Sequence, residues 1–492
     1  MSILPNLTSK TRYASLPDHF YRRVQPLPLN NPYLVGFSPG MAEILEIDPA
    51  SITTPEFTEV FTGNRLLNGS EPIATVYSGH QFGQYVPQLG DGRALVLGEV
   101  EDREGTIWEI QLKGAGLTPF SRMGDGRAVL RSTIREFLCS EAMAGLGIPT
   151  TRALCITGSK DEVYREKIES AAVLTRVATS HVRFGNFEFF FYRQQYDDLK
   201  LLADFVIDQY YPASREAENP YLDLLQQVID KTARLIARWQ LVGFTHGVMN
   251  SDNMSILGLT IDYGPYGFLD TCSAHFVCNH SDHLGRYAYD QQPQIGLFNL
   301  SCLAQALLPL IDDQNEQAAA DKAQEKLSSY QSLYTEYYEQ GMRDKLGLKE
   351  VHPGDSHLIE NLFSAMENQV DFTRFFRALS QFEETGENHI LRDQFIEPGR
   401  FDRWADIYRA RLALEKSDPA ERQQRMRRVN PKYVLRNYLV HRAIVKAESD
   451  DFGEIETLLS LLTRPFDEQP ERESYADEPP DWANTLELSC SS

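Results

Sequence analysis

Apolar positions fall into two regimes along the chain: short runs between glycine-rich turns in the first part, and helical spacing from about residue 196 onward. In the first regime, residues 94–100 and 106–112 are apolar runs separated by the polar turn 101–105, a pattern that predicts a two-stranded hairpin. A further strand is predicted at 151–157, and the segment AAVLTRVATSHVRFG, residues 171–185, reads as strand-like. Ser38-Pro39-Gly40 ahead of 41–47 predicts a short helix, set in a Pro-spaced extended arm that covers the first lobe. Another helix is signalled by Ile134, Phe137 and Leu138, with Thr133-x-x-Glu136 able to act as a capping box and Gly145, Gly147 and Pro149 ending it.

Helical periodicity then predicts helices at 199–211, 221–241 and 293–311, with further helices filling 314–346, 357–379 and 400–416. A basic cluster, Arg422 to Arg428, precedes Pro431, and the acidic, Pro-rich stretch 466–481 predicts a loose tail. These breaks divide the chain into an arm (1–70), a first lobe (71–190), a mainly helical second lobe (191–465) and a tail (466–492).

Composition narrows the function classes. A chain of 492 residues that is 42% hydrophobic and 24% charged has room for two or three globular domains. No run of about 18 apolar residues predicts a membrane span. The N-terminus lacks a signal-peptide core, so a cytoplasmic location is expected. Forty-eight Lys and Arg against seventy Asp and Glu leave a net charge of −22, which repels a polyanion; nucleic acid is excluded as a partner, although a small nucleotide can sit in a local basic pocket. The six cysteines form no C-x-x-C pair and read as reduced core residues, Cys490 in the polar tail excepted.

Candidate chemistry gathers in residues 246–264, HGVMNSDNMSILGLTIDYG. Hard oxygen ligands such as Asn253 and Asp262 suit Mg²⁺ bound together with substrate phosphates. The spacing overlays the protein-kinase signature H-R-D-x-x-x-x-N followed by D-F-G, with His246, Asn253 and Asp262-Tyr263-Gly264 in register. One position departs: Val248 stands where the catalytic Asp belongs, and the nearest carboxylate is Asp252. The competing reading is that Asp-Asn and Asp-Tyr-Gly are ordinary turns.

Upstream, Gly79, Gly83, Gly90 and Gly92 precede the hairpin that delivers Lys113, a way of laying backbone N–H groups and an ammonium around phosphates. The pentapeptide Gly-Asp-Gly-Arg-Ala occurs at 90–94 and again at 124–128, each time placing an Arg (Arg93, Arg127) beside flexible backbone. Glu136 is open to two readings, helix cap or ion-pair partner of Lys113. Arg176 and Arg183 lie in an apolar segment and read either as structural ion pairs or as a phosphate clamp. Cys272, His275, Cys278, His280 and His283 invite a zinc reading, but their spacing matches none of the usual ligand frames, which favours a mobile loop before the 293–311 helix.

The motifs SGHQFGQYVPQLGDGRA, QLKGAGLTPFSRMGDGRAVLRS, LTRVATSHVRFG, HGVMNSDN, IDYGP and GRYAYDQQPQIG, spread over roughly residues 75–300, resemble the selenoprotein O family of protein adenylyltransferases. That resemblance implies an α+β, protein-kinase-like bilobal fold: a first lobe of sheet and helix, and a largely helical second lobe with extra C-terminal helices. It implies ATP bound in reverse relative to kinases, and AMP transferred to Ser, Thr or Tyr hydroxyls of protein substrates.

Position by position, the resemblance puts Lys113 on the phosphates with Glu136 as its partner. It puts Gly90, Gly92, Arg93, Asp125, Gly126, Arg176 and Arg183 around the nucleotide, Asn253 and Asp262 on Mg²⁺ or Mn²⁺, and Asp252 in the role of base. Animal relatives carry selenocysteine near the C-terminus, where this chain has Cys490. A Cys272–Cys490 disulfide that restrains activity when oxidised is the matching expectation, with Cys278 as the rival partner. Kinase-type γ-phosphoryl transfer, uridylylation with UTP and Mn²⁺, and a non-catalytic nucleotide-binding scaffold are the alternative functions.

Overall fold

A computed structural model describes residue 4, residues 7–8, residues 11–486 and residue 488. It is a mixed α+β protein, with a sheet built from the N-terminal part of the chain and a helical C-terminal part. Among the described residues the strands are β1 (Leu7–Thr8), β2 (Tyr21–Arg23), β3 (Tyr33–Phe37), β4 (Ile73–Thr75), β5 (Gly79–Gln81), β6 (Gln84–Val86), β7 (Ala94–Glu101), β8 (Ile107–Lys113), β9 (Ala128–Val129), β10 (Arg152–Tyr164), β11 (Ile168–Ala178), β12 (Phe244–Thr245) and β13 (Gly267–Phe268). The main sheet runs β2-β4-β7-β8-β11-β10-β3, with β1 paired to β7 and β9 to β11. Both of its edges therefore come from the N-terminal arm, which is woven into the sheet as well as lying over it.

The β7–β8 hairpin falls within a residue of the sequence expectation. Its turn is held by Asp102, whose Oδ1 accepts from the N–H groups of Glu104 and Thr106 at 2.9 Å each, with Gly105 at φ 82°. Alternation then sorts the chemistry onto one face. Leu95, Leu97, Ile110, Leu112, Val173 and Val177 enter a dry cluster under α1 (Pro39–Ile44) and α2 (Pro55–Thr62). Lys113, Gln111 and Arg176 lie on the opposite face; β8 and β11 pair antiparallel with Gln111 opposite Arg176 and Leu174 opposite Lys113.

That second face packs against α3 (Leu130–Gly145). The helix begins three residues before Thr133 and has no side-chain cap, so the expected Thr133–Glu136 capping box does not form. Glu136 is instead buried in mid-helix, facing the sheet.

The helical part contains α4 (Phe184–Tyr192), α5 (Tyr196–Tyr210), α6 (Pro220–Leu241), α7 (Gln292–Ile311), α8 (Glu316–Ser328), α9 (Tyr330–Lys345), α10 (Asp355–Met366), α11 (Phe372–Leu379), α12 (His389–Arg392), α13 (Pro398–Glu415), α14 (Pro419–Val429), α15 (Asn437–Ala447) and α16 (Gly453–Leu462). Helix α7 is long and apolar enough to cross a bilayer by composition alone, yet it packs against α4, α6 and α8 as a core helix. In the C-terminal third, the basic cluster at 422–428 lies within α14. The acidic stretch expected as a loose tail is docked: Glu468 meets Arg377 at 2.6 Å and Lys432 at 2.7 Å, and Glu473 meets Lys432 at 2.5 Å.

Candidate active site

Residues 246–264 leave β12 and are stitched to the first part of the chain at two points. Arg183 bridges Ser255 antiparallel, with Phe184 N–H donating to Met254 O at 2.9 Å; Thr150 bridges Thr260 in parallel, with Thr151 N–H donating to Thr260 O at 3.0 Å. These backbone bonds set Asp252, Asn253 and Asp262 opposite the charged face of the sheet. His246 is buried, accepts a backbone bond from Val248 N–H at 3.4 Å and pairs through Nε2 with Ile261 O at 2.9 Å, so its role is to shape the loop.

The resulting cleft, of about 590 Å³, brings together every residue assigned to the nucleotide, the metal or the base from sequence. At its floor Lys113 Nζ meets Glu136 Oε2 at 2.5 Å, and Arg176 Nε meets Glu136 Oε1 at 2.5 Å. Arg176 also donates to Gln111 Oε1 at 3.2 Å and to Asp262 Oδ1 at 2.5 Å, while Arg183 donates to Asp262 Oδ2 at 2.6 Å and to Asp252 O at 2.8 Å. Lys113 Nζ lies 4.0 Å from Asp262 Oδ1.

Burial works against the charge on Asp262, but Arg176, Arg183 and Lys113 outweigh it and hold its carboxyl well below the usual carboxylate range. Burial, reinforced by Arg176, pushes the Lys113 amine down to about 8. Asp262 adopts φ 58°, a left-handed conformation uncommon for a residue with a Cβ.

Asp252, unlike the half-buried Asp262, is a buried aspartate. Its Oδ2 accepts from Gln81 Nε2 at 3.3 Å, and its Oδ1 has no hydrogen-bond partner among the described residues. Burial raises its carboxyl to about 7, opposed by Arg183. Gly79 faces it so closely that a Cβ there would stand 2.5 Å from Oδ1. Asn253 Nδ2 donates to Val248 O at 3.0 Å, which leaves the amide oxygen as its ligand atom.

The two Gly-Asp-Gly-Arg-Ala turns form one wall. Gly90 has φ 117° and abuts the Phe120 ring, Gly126 has φ 71° and packs on the Gly116 carbonyl, and a Cβ at either position would overlap its neighbour. Their side chains diverge in role. Asp125 pairs with Arg165 at 2.7 Å, and Arg127 donates to the carbonyls of Leu27 and Pro28 at 2.9 Å each, so these two brace the loop. Arg93 lines the cleft, its side chain exposed and without a hydrogen-bond partner among the described residues, as does Arg122, which has no assigned role in the sequence. Also missed were Gln81 and Phe82, whose hairpin β5–β6 closes the opposite side; Phe82 N–H donates to Asn250 Oδ1 at 3.1 Å. Gln81 and Arg122 lie within the quoted motif stretches, but neither keeps a spacing to the other candidate residues that assigns it a role in one sequence.

Among the described residues, the histidine- and cysteine-rich stretch does not bring three ligand atoms together. His275 pairs with Asp290 at 2.7 Å, and Cys278 Sγ donates to Pro265 O at 2.7 Å. Cys272, expected in a mobile loop, is buried; its N–H donates to Val370 O and its carbonyl accepts from Asn368 N–H, both at 2.8 Å, and burial pushes its thiol up to about 12. Cys490 lies outside the described residues. Leu488, the last described residue, accepts from His280 N–H at 2.7 Å.

The sequence model of the protein adenylyltransferase SelO family matches residues 4–463. Among curated relatives, a protein nucleotidyltransferase YdiU of Thioalkalivibrio sulfidiphilus is 55% identical over 493 residues, covering 100% of both chains. Its namesakes of Herminiimonas arsenicoxydans and Myxococcus xanthus are 54% and 53% identical, covering 98% and 100% of this chain and 96% and 100% of their own.

Proposed function

This chain belongs to the SelO family of protein adenylyltransferases and is an enzyme, a protein nucleotidyltransferase; from that premise we propose that it moves AMP from ATP onto Ser, Thr or Tyr hydroxyls of proteins. We read the sheet-bearing part and the helical part as the two lobes of a kinase-like fold, with the nucleotide between them and reversed relative to kinases.

The observation that carries this reading is the charge gradient across the cleft. Lys113, Arg176 and Arg183 crowd its floor around Asp262, Arg93 and Arg122 are exposed on its wall with no ion-pair partner among the described residues, and Asp252 carries one oxygen that is unpartnered among them. A triphosphate whose terminal phosphates enter that basic floor leaves its α-phosphorus on the side of Asp252. The residue at the kinase-base position, Val248, cannot take a proton.

The donor set fits a hard divalent cation: the amide oxygen of Asn253, a carboxylate at Asp262 held ionised, and the orphaned Asp252 Oδ1 close by. Mg²⁺ or Mn²⁺, held by Asn253 and Asp262, would supply positive charge to the phosphates. Arg176 and Arg183 then exchange part of their pairing with Asp262 for phosphate oxygens. Asp252 Oδ1 orients the acceptor hydroxyl and receives its proton. The hydroxyl oxygen bonds to the α-phosphorus, the bond from that phosphorus to its bridging oxygen breaks, and pyrophosphate leaves with its charge met by Lys113 and the arginines.

Parallel incubations with α- and γ-labelled ATP test this. Label from the α-position only, with the mass of AMP on protein, is the expected result. Stable γ-label lost in Asp252→Ala would establish phosphoryl transfer instead, and preference for UTP with Mn²⁺ would establish uridylylation.

A further inference from the structure

Away from the nucleotide cleft, three side chains from three elements converge: His80 of β5, Glu188 of α4 and Cys302 of α7. One imidazole nitrogen, one carboxylate oxygen and the thiol sulfur all lie within 4.8 Å of one another. Glu188 is fully buried; its Oε2 meets His80 Nδ1 at 2.5 Å, and its Oε1 has no hydrogen-bond partner among the described residues. Cys302 is buried, whereas 13% of the His80 side chain is exposed. Aromatic rings wall the group, with Tyr85, Tyr192 and Phe298 centred 5.4, 6.0 and 5.8 Å from the imidazole. An imidazole–carboxylate pair accounts for Oε2 alone. It leaves an anionic oxygen buried without a donor and brings a thiol alongside for no structural return.

We propose that His80, Glu188 and Cys302 form a binding site for a divalent transition-metal ion of the Zn²⁺ type, with the fourth position open to water or a small ligand on the His80 side. The mixed N, O and S donor set suits a borderline-soft ion and disfavours Mg²⁺, which takes oxygen ligands and keeps its waters. The site is therefore distinct from the hard-oxygen site at Asn253 and Asp262 and stands independently of the nucleotide reading.

Bonds of about 2.0–2.3 Å set tetrahedral ligand atoms roughly 3.3–3.7 Å apart. Nδ1 and Oε2 would therefore part by about 0.8 Å from their present contact, or Oε1 would serve as the ligand. On binding, the S–H bond of Cys302 breaks and its proton goes to solvent. Any proton on the ligating imidazole nitrogen moves to the other ring nitrogen, and bonds from metal to S, N and O form with no change in oxidation state.

The ion would act as a rivet. His80 N–H donates to Ser251 Oγ at 2.7 Å, and the next residue, Gln81, holds Asp252 Oδ2. Fixing His80 to α4 and α7 therefore fixes the strand that bears on Asp252.

Full-length reduced protein, stripped of metal and titrated with Co²⁺, tests the site by absorbance. One Co²⁺ per chain should bind with a thiolate-to-metal charge-transfer band and tetrahedral visible bands, displaced by Zn²⁺. Cys302→Ser should abolish the charge-transfer band. His80→Gln should weaken binding by at least the roughly 10- to 100-fold seen when even outer-shell partners are lost. Asp262→Asn, Cys272→Ser and Cys278→Ser should keep the band, with circular dichroism confirming that each variant is folded. Should Cys302→Ser fail to fold, His80→Gln decides the matter. Absence of a saturable band in the parent chain, a band that survives Cys302→Ser, or unchanged affinity in His80→Gln overturns the proposal and leaves a structural His–Glu pair.

Discussion

Asp262 is held by opposed forces, a left-handed backbone on one side and two guanidinium groups on its two oxygens on the other. Asp262→Asn keeps the shape and removes the charge, so nucleotide binding should lose its dependence on divalent metal and AMP transfer should fall by about 100-fold or more; titration calorimetry and single-turnover labelling read the two effects. Gly79 makes a second prediction, since its missing side chain is what lets Asp252 sit where it does. Gly79→Ala should destabilise the fold by about 1–3 kcal/mol through overpacking and, by displacing the carboxylate, slow transfer by more than about 10-fold, with chemical denaturation and turnover measured side by side. Asp252, Asn253, Asp262 and Lys113 were legible from sequence because a loop signature and a strand-borne lysine keep fixed spacings. Arg122 was not, because its place depends on how the 114–127 loop closes through Gly116 N–H and Gly126 O and docks on the Gly90 turn, where Thr118 Oγ1 donates to Asp91 O.

At the scale of elements, α4 shows why periodicity fails. Its sequence, FGNFEFFFY, is buried on nearly every side, so no polar face marks a helical repeat; its first two residues fall at the end of the strand-like segment and the rest have no assignment. The β10–β11 hairpin was only half legible for the opposite reason: its distal residues, 158–170, are largely polar and carry a register shift between Gly158 and Glu162. The docked tail was misread from composition, since acidic residues look solvated until Lys432, Arg377 and Arg374 are found facing them. Burial opposes ionisation of Glu468, but hydrogen bonds from Lys432 and Arg377 overcome it and bring its carboxyl down to about 2. A carboxylate with a depressed folded pKa stabilises docking above its unfolded value of 4.5, and that contribution is lost as pH falls from there toward 2. Exposed pairs are worth about 0.2–1 kcal/mol each, so Lys432→Ala should speed proteolytic nicking within 466–486 by about 2- to 5-fold at low ionic strength, and high salt should erase the difference.

For the whole molecule, the apolar cluster that α9, α10, α11 and α13 build around Phe375, Phe376 and Trp404 hides a cation. Lys345 ends α9 with its ammonium 4.0 Å from the Phe376 ring centre, has no carboxylate partner among the described residues, and is pushed by burial down to about 7. Between pH 7 and 10.5 the unfolded chain holds a proton that the folded chain lacks, so this group makes stability rise with pH across that window and withdraws the gain as pH falls back to 7. The full shift corresponds to about 5 kcal/mol as an upper figure. Lys345→Met should therefore unfold at higher denaturant concentration than the parent at pH 7, with the gap narrowing toward pH 10.

The sheet carries a different kind of vulnerability. Arg176 reaches Glu136 and Asp262 only because it lies opposite Gln111, on the face away from the dry cluster that Val173 and Val177 enter. A strand has a two-residue repeat, so losing one residue between 171 and 175 turns the guanidinium toward α1 and α2 and points an aliphatic side chain into the cleft. In a library of single-codon deletions and insertions, residues 165–167 at the hairpin tip should accept changes of length, whereas 171–175 should accept none, even where every individual substitution there is tolerated.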